Sequence, residues 1–451
     1  MAKRPSGLIY GVQDMPPVAV LAALAVQHIF LMSSTLVLPV VLVKEIGGSF
    51  DQIRSVVGLS MIASGLGTIL QAMRWRGVGS GYLCPNLCGP NFFTACVEAA
   101  WLGGLPLMRG MVIVAGLTEA VFARAVHRLK FLFPTEITGL VVLMVAVGLV
   151  PLGVSKFLGI NYDGEPIQKE NLAVAALTLL IMVGVNVWGK GKLRLYSVLM
   201  GMIFGYLLSL TLGLLGRAQL HDIVLAPWVA LPFLEDTFKI AFRWSLLPTF
   251  IIVSICGALK TFGNLILCEK INDEEWSQPD INQIGTGLMA DSICVTASGL
   301  LGGMASDTSA SNVSLSSASG ATSRYIGYAA GALFMLLGFS PKLSAVLSVM
   351  PMPVMGAILV FVTSYMIISG LSIIIGSGMD SRNIYVIGIS MVFGLSLDIL
   401  PQLYAGVPAW LRPLFDSSLT FSTVLAVVLN QLLSLGKRKD AKASDRPAGT
   451  D

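Results

Sequence analysis

Gly302-Gly303-Met304-Ala305-Ser306-Asp307-Thr308-Ser309-Ala310-Ser311-Asn312-Val313-Ser314-Leu315-Ser316-Ser317-Ala318-Ser319-Gly320 stands between two long apolar segments, and the fold turns on how it is read. It is dense in hydroxyls, carries one carboxylate and one amide, and its small side chains cannot shield a backbone from lipid. Irregular backbone at membrane depth survives only where protein buries it or where it lines a cavity. The stretch therefore reads as a short extended run leading into a half-helix inside the protein. The competing reading is a loop outside the bilayer.

Working outward, the composition settles the medium. The chain has 451 residues, of which 55% are hydrophobic and 12% charged, with a mean hydropathy of +0.80. That is too apolar for a soluble domain, and many runs approach the ~20 residues that cross a bilayer. The expected class is an all-α polytopic membrane protein with about 14 segments, two of them atypical. Residues 1–16 form an N-terminus, 17–214 hold spans 1–7, 215–244 are a polar connector, 245–436 hold spans 8–14, and 437–451 are a charged tail expected to be disordered. The bias of Lys and Arg in the short loops, at Arg74 and Arg76, Arg124 to Lys130, Lys190 to Arg194 and Lys437 to Lys439, places both termini in the cytoplasm. The expected location is a bacterial inner membrane.

The two halves echo each other. Gly81-Tyr82-Leu83-Cys84-Pro85-Asn86-Leu87-Cys88-Gly89-Pro90-Asn91 is the third segment of the first half, as Met304 to Gly320 is of the second. Each starts with helix breakers and becomes helix-compatible. Pro134 to Gly139 and Pro351 to Gly356 then repeat a Pro-x4-Gly pattern. An odd number of segments per half inverts the second half in the membrane, giving a 7+7 inverted repeat in which two half-helix N-termini face one central site.

Other classes fall away on composition. No nucleophile–base set or phosphate loop rises above chance, so an enzyme is not expected and no cofactor is called for. The net charge of +4 contains no nucleic-acid tract. The six cysteines lie in or beside apolar runs and read as packing residues; Cys84 and Cys88 lack a second Cys/His pair, so no metal site is expected.

Some residues are specific enough to name a family. Gln13-Asp14-Met15-Pro16-Pro17 with Gln27-His28 resembles the start of the nucleobase–ascorbate transporters, the xanthine/uracil permease group. Gly287-Leu288-Met289-Ala290-Asp291 is similar to their ninth span, and Asn312-Val313-Ser314-Leu315 through Ser323-Arg324-Tyr325 to their signature in the tenth, closest to the xanthine/urate branch. Pro351 to Gly356 and Leu429-Asn430 fit later spans. The resemblance implies a core domain of spans 1–4 and 8–11, a gate domain of spans 5–7 and 12–14, an elevator movement, a homodimer, and a purine-like cargo moved with protons or sodium. Another small organic or inorganic anion, moved by a transporter, exchanger or channel of the same fold, is the alternative.

The departures from that pattern concern the substrate. Aligned on Gly263, the family's substrate-binding Glu is Lys260, with a further polar position at Asn264. Its acid or amide before the signature Asn corresponds to Ser311 or to a one-residue deletion, since the run Thr308-Ser309-Ala310-Ser311-Asn312 is shorter than the family's. By the resemblance, Lys260, Asn264, Ser309 to Asn312 and Phe92, an aromatic matching one that stacks on the substrate ring, are the substrate-binding candidates. Gln27, His28, Asp291 and Asp307 are the coupling or core-ordering candidates. Two roles fit Lys260 from its place inside an apolar run: it binds a substrate anion, or it pairs with Asp291 or Asp307. Asp291 is a candidate proton carrier unless such a pair holds it ionised. Glu98 and Glu119 are further intramembrane acids that line the pathway or face a domain interface.

Overall fold

The computed structural model describes residues 5, 8–129, 134–160, 167–189, 197–216, 221, 223–234, 237–276, 279–376, 380–404, 406–407, 415 and 418–444. The expected loop from Lys190 to Arg194, parts of the connector (217–220, 222, 235–236) and residues 445–451 lie outside the described residues. Among the described residues nine helices are long and apolar enough to cross a membrane, or ten if the bent pair Arg324–Gly338 and Pro341–Leu347 forms one span. Lys169–Trp188 shows why lipid is needed: Leu180 and Val187 are each 60% exposed and Trp188 is 76% exposed. An apolar face of that extent has to be covered.

The first span is α1 (Val18–Ser33), one 3₁₀ turn (Ser34–Leu36) and α2 (Val37–Glu45). At the junction Ser34 Oγ donates to Leu31 O at 2.7 Å and Thr35 Oγ1 to Met32 O at 3.1 Å, the back-bonding that bends helices. α3 (Phe50–Ala72) opens on a reciprocal capping box between Ser49 and Gln52. Then comes β1 (Asn86–Cys88), followed by α4 (Pro90–Leu129), which runs through the third and fourth expected segments and breaks at Gly103 and Gly104. The remaining helices of this half are α5 (Thr135–Leu158), α6 (Lys169–Trp188) and α7 (Ser197–Thr211).

The second half holds α8 (Leu247–Asn272) and α9 (Ile281–Leu301), the latter capped by Asp280 and ended by Gly302 in the left-handed region at φ 96°. β2 (Ser306–Thr308) and α10 (Ala310–Ser319) follow; Ser309 caps α10 by accepting from Asn312 N at 3.2 Å. Next are α11 (Arg324–Gly338), α12 (Pro341–Ser348), α13 (Met352–Gly376), α14 (Ser381–Ile399) and α15 (Ser418–Ser444). The tail was expected to be unstructured from Lys437, yet α15 continues to Ser444. Lys, Arg and Ala are good helix formers, and no breaker interrupts them.

Contacts divide the chain into two compact units, Met1–His127 with Leu149–Ser364, and Arg128–Gly148 with Tyr365–Asp451. Within the first, β1 and β2 pair antiparallel, setting Asn86 opposite Thr308, Leu87 opposite Asp307 and Cys88 opposite Ser306. Gly89 N to Ala305 O and Ser309 N to Pro85 O, both 2.9 Å, extend the pairing, so the buried extended backbone is hydrogen-bonded inside the protein. α3 and α11 touch through their backbones, since a Cβ on Gly65 would lie 2.6 Å from Gly331 O and one on Gly58 2.7 Å from Gly338 O. Small residues allow that approach.

The chain start is tied to the broken segment. Ile9 N and Tyr10 N donate to Gly320 O, Thr322 N donates to Tyr10 O, and Arg324 N donates to Val12 O. Arg324 also donates to Gln13 Oε1, and Ser323 Oγ to Asp14 O. The Gln13-Asp14 motif is thus a strap across the end of α10 and the start of α11. In the second unit Arg382 joins three helices, meeting Glu136 at 3.2 Å, Ser434 Oγ at 3.1 Å and Asn383 Oδ1 at 2.9 Å.

Candidate functional site

The paired strands bring the starts of α4 and α10 together, and α8 passes beside them. Gly257, Lys260, Thr261 and Asn264 recur at helical spacing, so they share one face of α8. That face meets β2. Lys260 Nζ lies 2.9 Å from Asp307 Oδ2; the Lys260 side chain is 25% exposed, whereas that of Asp307 is fully buried. The cation therefore fronts the accessible side, with the carboxylate behind it. Asn91 Nδ2, at the start of α4, donates to the same Oδ2 at 3.0 Å, while Asp307 Oδ1 is buried without a hydrogen-bond partner. A Cβ at position 89 would crowd the site, standing 3.1 Å from Asp307 Cγ and 3.0 Å from the Phe92 ring, so these neighbours would have to give way by a few tenths of an ångström.

Asp291, on α9, is held separately. Asn86 Nδ2 donates to its Oδ1 and Thr261 Oγ1 to its Oδ2, both at 2.6 Å. Thr261 has one hydroxyl proton, so its 2.8 Å contact with Thr308 Oγ1 has Thr308 as donor, and Asn264 Nδ2 in turn donates to Thr308 Oγ1 at 2.9 Å. The chain Asn264, Thr308, Thr261, Asp291 points every donor toward the carboxylate. Polar groups buried this deeply are favourable only when so satisfied.

The sequence left open which aspartate pairs with Lys260, and the geometry selects Asp307. Asn264 reaches the strand as part of the Asp291 network. Phe92 is fully buried beneath Gly257 and Gly89. Ala310 and Ser311 are exposed at the first turn of α10, while Ser309 and Asn312 are buried. His28 Nδ1 and Asn312 Oδ1 are 2.8 Å apart, and Asn312 Nδ2 donates to Ser309 Oγ at 2.9 Å, which ties α1 to the start of α10. Gln27 points its Oε1 into protein with no hydrogen-bond partner. Glu119 is buried, its Oε1 lying 3.0 Å from where a Cβ on Gly257 would be. Asn86, Asn91, Thr261 and Thr308 were missed by the sequence reading. The signal available was amides in the first broken segment and hydroxyls beside Lys260 and Asp307.

Residues 20–403 match the profile of the permease family. The chain belongs to that family, the nucleobase–ascorbate transporters. This permease is 27% identical to a putative purine permease of Clostridium perfringens, over 94% of its own chain and 93% of the relative. It is 25% identical to a xanthine permease of Escherichia coli over 94% of each chain, and 27% identical to a uric acid permease of Bacillus subtilis over 93% and 94%. Two solved folds are also similar. One is the murine solute carrier 26 family member A9 anion transporter in the inward-facing state, with TM-score 0.60 and 10% identity, covering 94% of this chain and 69% of that one. The other is the transmembrane domain of a cyanobacterial bicarbonate transporter, with TM-score 0.53 and 13% identity, covering 93% and 99%. The permease thus has a membrane-transporter fold.

Proposed function

We propose that the permease carries an oxopurine of the xanthine and urate class, in anionic form, together with a proton or sodium ion. The observation that carries the anionic form is the Lys260 ammonium, a quarter exposed and paired with Asp307, whose carboxylate also meets Asn91 at the start of α4, where the helix N-terminus adds positive potential. The purine class is supported by the relatives' names. In this reading Ala310 and Ser311 form the substrate's rim, backed by the buried Ser309 and Asn312, with Phe92 as the apolar packing beneath the site and Asn264 a polar flank. Gln27, His28 and Asp291 order the core, and Asp307 serves coupling.

The proposed architecture is a 7+7 inverted repeat with segments 3 and 10 broken, supported by two strand-then-helix segments that pair antiparallel. The core of spans 1–4 and 8–11 moves as an elevator against a gate of spans 5–7 and 12–14 in a homodimer. The setting is a bacterial inner membrane with both termini cytoplasmic.

Radiolabelled uptake into proteoliposomes tests the substrate. Lys260→Glu should abolish urate and xanthine uptake, and Lys260→Arg should retain part of it. Unchanged uptake by a folded Lys260→Glu protein would refute the anion reading, as would uptake of neutral uracil alone. The same Lys260 favours a second reading, a small inorganic or non-purine organic anion; competition by sulfate or carboxylates, with no effect of purines, would select it.

A further inference from the structure

The two buried aspartates of the site are not equivalent. Asp291 has each oxygen occupied by a fixed donor at 2.6 Å, and neither donor lies on the accessible side. Asp307 has one oxygen without a partner, one neutral donor in Asn91, and a single cation in Lys260, which is the member of the pair that an incoming anion meets first. Among the described residues Lys260 on α8 meets Asp307 directly, and Asp291 on α9, Glu119 on α4 and Cys88 on β1 are the other titratable groups near enough to interact with it electrostatically.

We propose that Asp307 is a binding site for a monovalent cation, covered by Lys260 in the empty protein and uncovered when an anionic substrate draws Lys260 away. The inference rests on the anion reading of Lys260. In the empty site one positive and one negative side chain balance. When the anion takes the ammonium, the Asp307 carboxylate keeps only the Asn91 hydrogen bond, and a buried carboxylate without a counter-charge is strongly disfavoured. A proton or a sodium ion restores the balance, so anion and cation enter together, one of each. The exchange of partners is itself the coupling: the cation site forms only when the anion is present, and the anion binds well only when a cation replaces Lys260. Asp291, whose donors stay in place, keeps its hydrogen bonds throughout.

Calorimetry on purified full-length protein, with urate as probe, reads the linkage. Buffers of differing ionisation enthalpy report protons taken up per urate, and replacing sodium by choline at fixed pH reports sodium. One cation per urate is expected in the parent. Asp307→Asn should bind urate with no cation linkage and about tenfold more tightly, as follows when a competing state occupying roughly nine-tenths of the ensemble is removed. A second arm needs no substrate. In Lys260→Gln the carboxylate is uncovered permanently, so the melting temperature should depend on sodium or pH beyond the parent's dependence, and Lys260→Gln/Asp307→Asn should lose that extra dependence. Retained linkage in Asp307→Asn, or no added dependence in Lys260→Gln, would overturn the proposal. If urate binds no variant while the second arm behaves as expected, the purine reading falls and the cation site stands.

Discussion

Asn86→Asp places a second carboxylate against Asp291. The parent contact is an amide donating across 2.6 Å, and the substitution exchanges that donor for an acceptor of the same shape. Two unit charges at this distance repel by about 6 kcal/mol at an effective dielectric of ~20, an upper bound that rearrangement will lower. Even half of it, about 3 kcal/mol, is large against the ~5–15 kcal/mol by which folded proteins are stable. Adding Asp291→Asn reverses the polarity, since the new amide on α9 can donate to the carboxylate on β1 and its oxygen can accept from Thr261. The double variant should recover at least half of the loss. Recovery will be incomplete, because the carboxylate at 86 has one donor where Asp291 had two. Thermal unfolding of the parent, both singles and the double, purified in one detergent, provides the cycle. Asn86→Asp melting with the parent, or a double variant no more stable than Asn86→Asp, would refute the hydrogen-bond assignment.

Three further outcomes follow from the packing. Arg382→Ala leaves the buried Glu136 carboxylate without its cation and should cost about 3 kcal/mol, with Glu136→Gln restoring most of it in the same melting assay. Gly65→Leu drives a side chain into the Gly331 backbone on α11 and should cost at least ~1–3 kcal/mol, visible as a lower melting temperature or lost expression. His28→Leu removes the contact that ties α1 to Asn312 and should cost about 1–3 kcal/mol, with Asn312→Leu non-additive with it in a double-mutant cycle.

Much of the fold was legible because a bilayer leaves a chain few options. Apolar length marked most helices, and Ile281–Leu301 falls where the run between Asp280 and Gly302 placed it. The two broken segments were legible for the same reason: glycine, proline and serine cannot cross lipid unaided. The Gln13-Asp14 motif was legible only as a likeness, since its strap across Gly320 to Arg324 joins residues some three hundred positions apart.

The sequence by itself determined the medium, the apolar runs that carry most of the helices and the family resemblance, all of which rest on local composition and order. Only the tertiary structure decided how the charges inside that scaffold are shared. Lys260 is 31 residues from Asp291 and 47 from Asp307, and spacing alone favoured neither. The antiparallel register of β1 on β2 decided it: Asp307 sits opposite Leu87 and toward Lys260 and Asn91, and Thr308 opposite Asn86 joins the chain of donors that occupies Asp291. Register is a long-range property, because it is set by which backbone groups pair across the protein, and a local reading of either strand does not contain it.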